Sequence, residues 1–208
     1  MMLEFLKTAF VTILVTLDPP GLAPVFIGLT LGMTRAAKRE VALRASIIAF
    51  AILAAFAFGG GAVMDALGIS IQAFRVAGGL LLFYIAFEMV FDLRGQRKKE
   101  FASDAVTIDQ IRNVAAFPLA IPLMAGPGSI TATMLLAGRA GADWPQLLGL
   151  MGVVALVMAI SYVTLLMAEG VSRLLGTTGN IVLTRMLGVI LAALAVQFVI
   201  NGIVAIGK

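Results

Sequence analysis

The chain contains no histidine and no cysteine. Without histidine it lacks the side chain that most often serves as a general base or metal ligand, and without cysteine it has no thiolate nucleophile, sulfur-ligated metal or disulfide. Charged residues are also scarce, at 12% of the sequence against about 25% in an ordinary soluble domain. We therefore predict that the protein is not an enzyme and holds no metal ion or cofactor.

Hydrophobic residues make up 61% of the chain and fall in long uncharged runs. Runs of about 18 such residues mark candidate transmembrane helices. The six predicted spans cover residues 5–30, 41–65, 71–91, 114–137, 144–168 and 181–206. We predict an all-α integral membrane protein whose first apolar run continues past Asp18 instead of ending at a signal-peptide cleavage site.

Lysine and arginine in short loops are retained on the cytoplasmic side of a membrane. Ten of them fall on one side of the predicted spans: Arg35, Lys38, Arg39, Arg44, Arg94, Arg97, Lys98, Lys99, Arg112 and Arg173. Only Lys7, Arg139 and Lys208 fall on the other. This bias predicts a cell (inner) membrane protein with both termini outside and a charged cytoplasmic connection at residues 92–113.

An internal repeat relates the two halves of the chain. The third and sixth spans match at a constant offset of 110, with Ile71, Arg75 and Gly78 over Ile181, Arg185 and Gly188. The first and fourth spans both carry proline and glycine at mid-length. Because each repeat holds an odd number of spans, the second crosses the membrane in the opposite sense, as in secondary transporters. We predict two inverted-topology repeats of three helices, residues 1–91 and 114–208.

Proline inside a helix removes a hydrogen bond and clashes with the preceding turn, so the first and fourth helices are predicted to break at mid-membrane. Backbone groups freed there are tolerated only if they are buried in protein or line a watered cavity. The breaks therefore predict a polar cavity between the halves. Its candidate substrate-binding residues are Asp18, Pro19, Pro20, Gly21, Gly126, Pro127, Gly128 and Ser129.

The chemistry of the two breaks suits a zwitterion. The half-helices starting near Leu22 and Ser129 are expected to offer free N–H groups and the positive end of the helix dipole to a carboxylate. The position equivalent to Asp18 in the second repeat is Ala125. Asp18 can bind a substrate ammonium, Na⁺ or a proton, so H⁺ and Na⁺ both remain possible coupling ions. The alternative for Asp18 is an acid that only caps the loop.

Other polar residues within the spans are supporting candidates. Thr131 and Thr133 can add hydroxyl groups to the cavity. Arg75 and Arg185 can support ion or substrate binding, although the alternative that they extend to the membrane interface is favoured. Glu88 and Glu169 are expected to be solvated near span ends.

Two segments resemble the signatures of the MarC family: DPPGLAPVF at residues 18–26 and PLAIPLMAGPGSI at residues 118–130. The resemblance implies a bacterial or archaeal membrane protein of the lysine-exporter-like superfamily that transports small neutral amino acids such as alanine and glycine. Many members have asparagine after the first glycine where this chain has Leu22, a difference that bears on the substrate or its coupling ion.

Three functions are consistent with this pattern. The first is a secondary transporter of small neutral amino acids that works by alternating access. The second is an exporter of another metabolite or drug on the same scaffold, and the third is a non-transporting membrane scaffold or sensor. The expected partners are a small-molecule substrate and the lipid bilayer, with no nucleic acid, and no motif indicates the oligomeric state or the direction of transport.

Overall fold

The computed structural model describes residues 2–30, 33–93, 114–141 and 143–206. In these segments the chain forms eight helical segments, and those at Ala115–Met124 and Ala168–Ile206 each contain residues with non-helical backbone angles. They are α1 Met2–Leu17, α2 Pro19–Leu29, α3 Arg35–Ala66, α4 Ile71–Val90, α5 Ala115–Met124, α6 Pro127–Ala140, α7 Trp144–Leu166 and α8 Ala168–Ile206.

Five stretches are long and apolar enough to cross a membrane: Met2–Leu29, Arg35–Ala66, Ile71–Val90, Trp144–Leu166 and Thr178–Ala205. A sixth is formed if α5 and α6, which meet at a bend of 58°, are taken as one span. The prediction of an all-helical membrane protein is confirmed, and the stretches agree with the predicted spans to within a few residues at most ends. Residues 94–113 of the predicted connection lie outside the described residues.

Helices α3, α4 and α7 begin at side-chain caps. The side chains of Thr34, Ser70 and Asp143 each accept a hydrogen bond from the backbone N–H three residues later. Such caps satisfy amide groups that the first helical turn leaves without an internal partner. The polar residues between the apolar runs therefore fix where these helices start.

The interior is formed by leucine and other apolar side chains from several helices, including Ile13, Leu53, Leu119, Leu136 and Leu150, all fully buried. Many large apolar side chains also lie on the outside, among them Leu80, Phe83, Met186, Val189 and Ile203. In a soluble protein such a surface would promote aggregation. Here it is the surface that the hydrocarbon of a bilayer covers.

Helices α4 and α8 share the most extensive contact of the described helices and run antiparallel. Three glycines allow their backbones to approach closely: Gly79 lies against Ala195 and Val199, Gly188 against Ala86 and Met89, and Gly202 against Gln72 and Val76. Small residues serve this purpose in membrane proteins because van der Waals packing, and not water exclusion, holds the helices together.

We expect Gly79→Ala to lower the thermal stability of the protein in detergent. A methyl group at this position would lie 2.9 Å from the carbonyl oxygen of Ala195 and 3.0 Å from the amide nitrogen of Val199, so α8 would have to move. Overpacking of this kind costs about 1–3 kcal/mol. Gly59→Ala is the matched control, because no atom lies within 4 Å of the added methyl group. Equal melting temperatures for the two variants would contradict the α4–α8 contact.

Each of the two proline-containing segments packs against helices from the other half of the chain. The α1–α2 segment contacts α6, α7 and α8, and the α5–α6 segment contacts α1, α3 and α4. Helix α3 also contacts α7. The proline-containing segments therefore lie at the centre of the helix assembly.

Candidate functional site

A single residue, Asp18, separates α1 from α2. Its backbone is left-handed, with φ 55° and ψ 64°, a conformation that aspartate adopts more readily than most residues. Its amide donates to Leu14 O at 2.9 Å, and its carbonyl accepts from Leu22 N at 3.2 Å. Pro19 and Pro20 occupy the first two positions of α2. The interruption is therefore sharp and hydrogen-bonded on both sides.

The carboxylate of Asp18 is buried, with 1% of the residue exposed, and its Oδ1 accepts from Gly21 N at 3.1 Å. A methyl group at Gly21 would collide with this carboxylate, lying 2.6 Å from its Cγ. Glycine at position 21 is thus what allows the acid to fold back over α2. Asp18 does cap this helix, as the alternative interpretation of the residue proposed.

The start of α2 differs from the expectation of free N–H groups. Pro19 and Pro20 have no backbone N–H, while the amides of Gly21 and Leu22 are already bonded to Asp18. The first turn of α2 therefore has no amide left for a ligand. At this interruption the amides of α2 are not available to a substrate, and the Asp18 carboxylate is the side-chain candidate for contact with it.

The second interruption has a different construction. Segment α5 is not a regular helix, because Phe117 and Ile121 within it have extended backbone angles, and at its end Ala125 N donates a hydrogen bond of 2.8 Å to Ala120 O, five residues earlier. Gly126 then carries the chain to α6 in an extended conformation. A methyl group at Gly126 would collide with the carbonyl oxygen of Pro122, so only glycine fits this bend.

No side chain among the described residues caps α6. Pro127 is its first residue and has no N–H, and the backbone bond across its start runs from Ile130 N to Gly126 O at 3.0 Å. The remaining first-turn amides belong to Gly128 and Ser129, both of which are buried. Helix N-termini attract anions through such amides and through the helix dipole. The expectation of an anion-binding end therefore fits α6 and not α2.

Helix α1, which ends at the first interruption, contacts α6, which begins at the second. The side chain of Ile85 of α4 lies directly over Gly128 and also packs against an apolar cluster of Val15, Ala86, Met89 and Leu191. Gly128 is the second residue of α6. The start of α6 therefore adjoins α4.

Several threonines are buried in the helices that adjoin the interruptions. Thr131 is buried and faces Gly78 of α4, and Thr133 Oγ1 donates to Ser129 O at 2.7 Å. Sequence reasoning missed Thr12, whose Oγ1 is buried and has no hydrogen-bond partner in the described structure. The four-residue spacing of Thr8, Thr12 and Thr16 could have indicated that these threonines share one face of α1.

Glu88 was expected to be solvated, and that expectation was wrong. Only 3% of the residue is exposed, although it lies close to the end of α4. It is three residues after Ile85, on the same side of the helix. An acid buried within a membrane helix is costly and marks a functional position by default, so Glu88 joins the candidate site.

The predicted supporting arginines lie elsewhere. Arg75 Nη2 donates to Gly138 O at 3.4 Å near the end of α6. Gly138 is ten residues after Gly128, about 15 Å along a helix. Arg185 is exposed on α8. The structure does not bring Arg75 to the interruptions, and no group of acids or other ligands suited to a metal ion occurs among the described residues.

Comparison with known proteins identifies the family. The sequence profile of the MarC family integral membrane proteins matches residues 3–206. The chain belongs to the MarC family. A UPF0056 membrane protein of Methanocaldococcus jannaschii is 42% identical over 202 residues, covering 97% of both chains. One from Archaeoglobus fulgidus is 37% identical over 201 residues, covering 97% of this chain and 93% of the relative.

The similarity extends to bacteria. The UPF0056 membrane protein YhcE of Escherichia coli is 35% identical over 197 residues, 93% of this chain and 89% of the relative. No solved structure matches the chain significantly. Both interruptions of this MarC family protein fall within the two segments that resemble the family signatures, residues 18–26 and 118–130.

Proposed function

We propose that this MarC family protein is a secondary transporter of small neutral amino acids, of the alanine and glycine type, that works by alternating access. The observation that carries the proposal is the buried carboxylate of Asp18, at the end of α1, together with the uncapped start of α6, a helix that α1 contacts. A negative group and a set of amide donors match the ammonium and carboxylate of a zwitterion.

The contacts between helices support an inverted repeat of residues 1–91 and 114–208. In such a repeat α1–α2 corresponds to α5–α6, α3 to α7 and α4 to α8. The contact between α1–α2 and α7 then corresponds to the contact between α5–α6 and α3. Likewise, the contact between α1–α2 and α8 corresponds to the contact between α6 and α4. The antiparallel α4–α8 pair also fits an axis lying in the membrane plane.

Under this proposal the interruptions lie at mid-membrane and the two repeats rock about them. The concentration of lysine and arginine supports an inner-membrane orientation with both termini outside. Lys38 and Arg39 of α3 contact Glu169 and Tyr162 in the second half at 3.0 and 3.3 Å. These contacts would close the cytoplasmic side in one state of the cycle and separate in the other.

The coupling ion is H⁺ or Na⁺, and two buried acids can receive it. Asp18 is positioned to meet the substrate amine, whereas Glu88 lies one turn beyond Ile85 on α4. A division of labour in which Asp18 binds substrate and Glu88 binds the ion is consistent with their placement. Imposing pH and sodium gradients in turn on reconstituted protein would identify the ion.

Counterflow tests the proposal without assuming a direction of transport or a coupling ion. Purified protein is placed in vesicles preloaded with unlabelled alanine, and radiolabelled alanine is added outside at trace concentration. We expect label to accumulate in these vesicles and in those preloaded with glycine, but not in those preloaded with glutamate or lysine. The charged amino acids fail because the site offers one partner for each charge of a neutral zwitterion.

Absence of accumulation by protein shown to be folded would contradict the amino-acid proposal. A rise in melting temperature with another metabolite or a drug would then favour the exporter, since a ligand that binds the folded state stabilises it. If no solute stabilised the protein, the scaffold or sensor would be favoured.

A further inference from the structure

A cavity of about 350 Å³ lies away from the two interruptions, where α2 ends, α3 begins and α7 meets α8. Three cationic side chains line it, Arg35, Lys38 and Arg39, together with one acid, Glu169. The cationic groups come from the first turns of α3, and the acid comes from the first turn of α8. The cavity therefore joins the two halves of the chain at the end where the basic residues concentrate.

The charges of this cavity do not cancel. Lys38 Nζ lies 3.0 Å from Glu169 Oε1, so one cation neutralises the acid. Arg39 uses its Nε to donate to Tyr162 OH at 3.3 Å, a neutral partner that leaves the charge of its guanidinium group uncompensated. Arg35 is exposed. Two guanidinium groups thus remain in excess of the ion pair.

The ionisation of the Glu169 carboxyl group reflects the positive charges around it. The hydrogen bond and charge of Lys38 hold the pKa of Glu169 below its usual range, with smaller contributions in the same direction from Arg35 and Arg173. The acid is therefore ionised at neutral pH, and Arg173 adds a further positive charge near the cavity.

Apart from Thr30, the remaining side chains that line the cavity are apolar. Phe26, Ile27 and Leu165 form part of the lining, and at the rim Leu166 and Met167 are 45% and 59% exposed. The first turn of α8, which starts at Ala168, also contributes to the lining, and amides at such a helix start have no partner within the helix. Cations beside exposed apolar side chains suit a molecule with an anionic head and a hydrocarbon tail.

We propose that this cavity binds a phosphate group, as carried by the headgroup of an anionic phospholipid. Guanidinium groups match phosphate oxygens with paired hydrogen bonds, and basic pockets between membrane helices on the cytoplasmic side bind phosphate-bearing headgroups. The exposed Leu166 and Met167 place the acyl chains on the lipid-facing surface. This cavity is separate from the interruptions at which the substrate is proposed to bind, and its test does not require the identity of that substrate.

The test compares melting temperatures of the purified full-length protein in mixed micelles. Phosphatidylglycerol is compared with phosphatidylcholine at equal concentration, and inorganic phosphate is added in a third arm. We expect phosphatidylglycerol to raise the melting temperature by roughly 5 °C more than phosphatidylcholine. The double variant Arg35→Gln, Arg39→Gln should lose at least half of that difference, because it removes both excess guanidinium groups and leaves the Lys38–Glu169 pair intact.

The matched control is the double variant Arg44→Gln, Arg139→Gln, which loses the same charge from positions that do not line the cavity. We expect it to keep the lipid-dependent rise. If inorganic phosphate alone produces a rise that Arg35→Gln, Arg39→Gln removes, the site takes free phosphate and not a lipid. The proposal is overturned if neither phosphatidylglycerol nor phosphate stabilises the protein, or if both double variants lose the effect equally.

Discussion

Asp18→Asn is expected to abolish alanine counterflow while leaving the melting temperature close to that of the unsubstituted protein. Asparagine is as good a helix cap as aspartate and tolerates the left-handed backbone found at position 18. It can therefore keep the bond to Gly21 N that closes the start of α2. What it removes is the negative charge, and we expect at least about a 10-fold loss of transport, equivalent to one interaction of about 1.4 kcal/mol.

Asp18→Ala removes both the charge and the cap, so it should lower stability as well as transport. Loss of a cap costs about 1–2 kcal/mol. Asp143 supplies the matched control, because it caps α7 by accepting from Gln146 N at 3.2 Å but is exposed. Asp143→Asn should change neither stability nor transport, and Asp143→Ala should lower stability alone.

These four variants separate a structural role from a binding role for Asp18. Full transport by a folded Asp18→Asn protein would show that the carboxylate only caps α2, and the proposed contact with the substrate amine would have to be abandoned. Loss of transport that tracks the melting temperature across all four variants would lead to the same conclusion. Counterflow and thermal unfolding measured on the same preparations distinguish these outcomes.

Gly126→Ala is expected to have the second large effect. The added methyl group would collide with the carbonyl oxygen of Pro122, which belongs to the backbone and cannot rotate away as a side chain would. The bend of 58° between α5 and α6 would have to open. We expect the free energy of unfolding to fall by about 1–3 kcal/mol, and transport to fall with it because the bend positions the first-turn amides of α6.

Gly28→Ala is the control for this substitution. Gly28 lies in α2, is exposed, and has no atom within 4 Å of an added methyl group. Its stability should stay within about 0.5 kcal/mol of the unsubstituted protein. Thermal unfolding in detergent measures both variants. If Gly126→Ala were as stable as Gly28→Ala, the bend between α5 and α6 would not be as tightly packed as described.

The sequence predicted the membrane segments well because their cause is local. Uncharged runs of sufficient length form helices in a bilayer whatever their neighbours, so Trp144–Leu166 and Ile71–Val90 could be read almost residue by residue. The segments Asp18-Pro-Pro-Gly and Gly126-Pro-Gly were singled out for an equally local reason, since proline disrupts a regular helix.

The details that depend on packing could not be predicted. Position along a span indicates depth in the membrane but not which face of the helix meets its neighbours, and for this reason Glu88 was placed in solvent. Capping depends on the conformation of one residue, so the sequence offered capping by Asp18 only as an alternative and did not identify the Gly21 amide as its partner. The basic residues at one end were predicted, but their convergence with Glu169 on a cavity depends on how α3 meets α8.

The two consecutive prolines after Asp18 have a consequence for any movement of the first span. In a continuous helix, residues 19 and 20 would donate hydrogen bonds to the carbonyl groups of Val15 and Thr16, and prolines have no hydrogen with which to do so. Because the covalent structure of proline has no N–H group, no change of conformation can restore these two hydrogen bonds. Any movement of the first span therefore keeps a break in its helical hydrogen bonding at residues 15–20, in whichever position α1 and α2 stand.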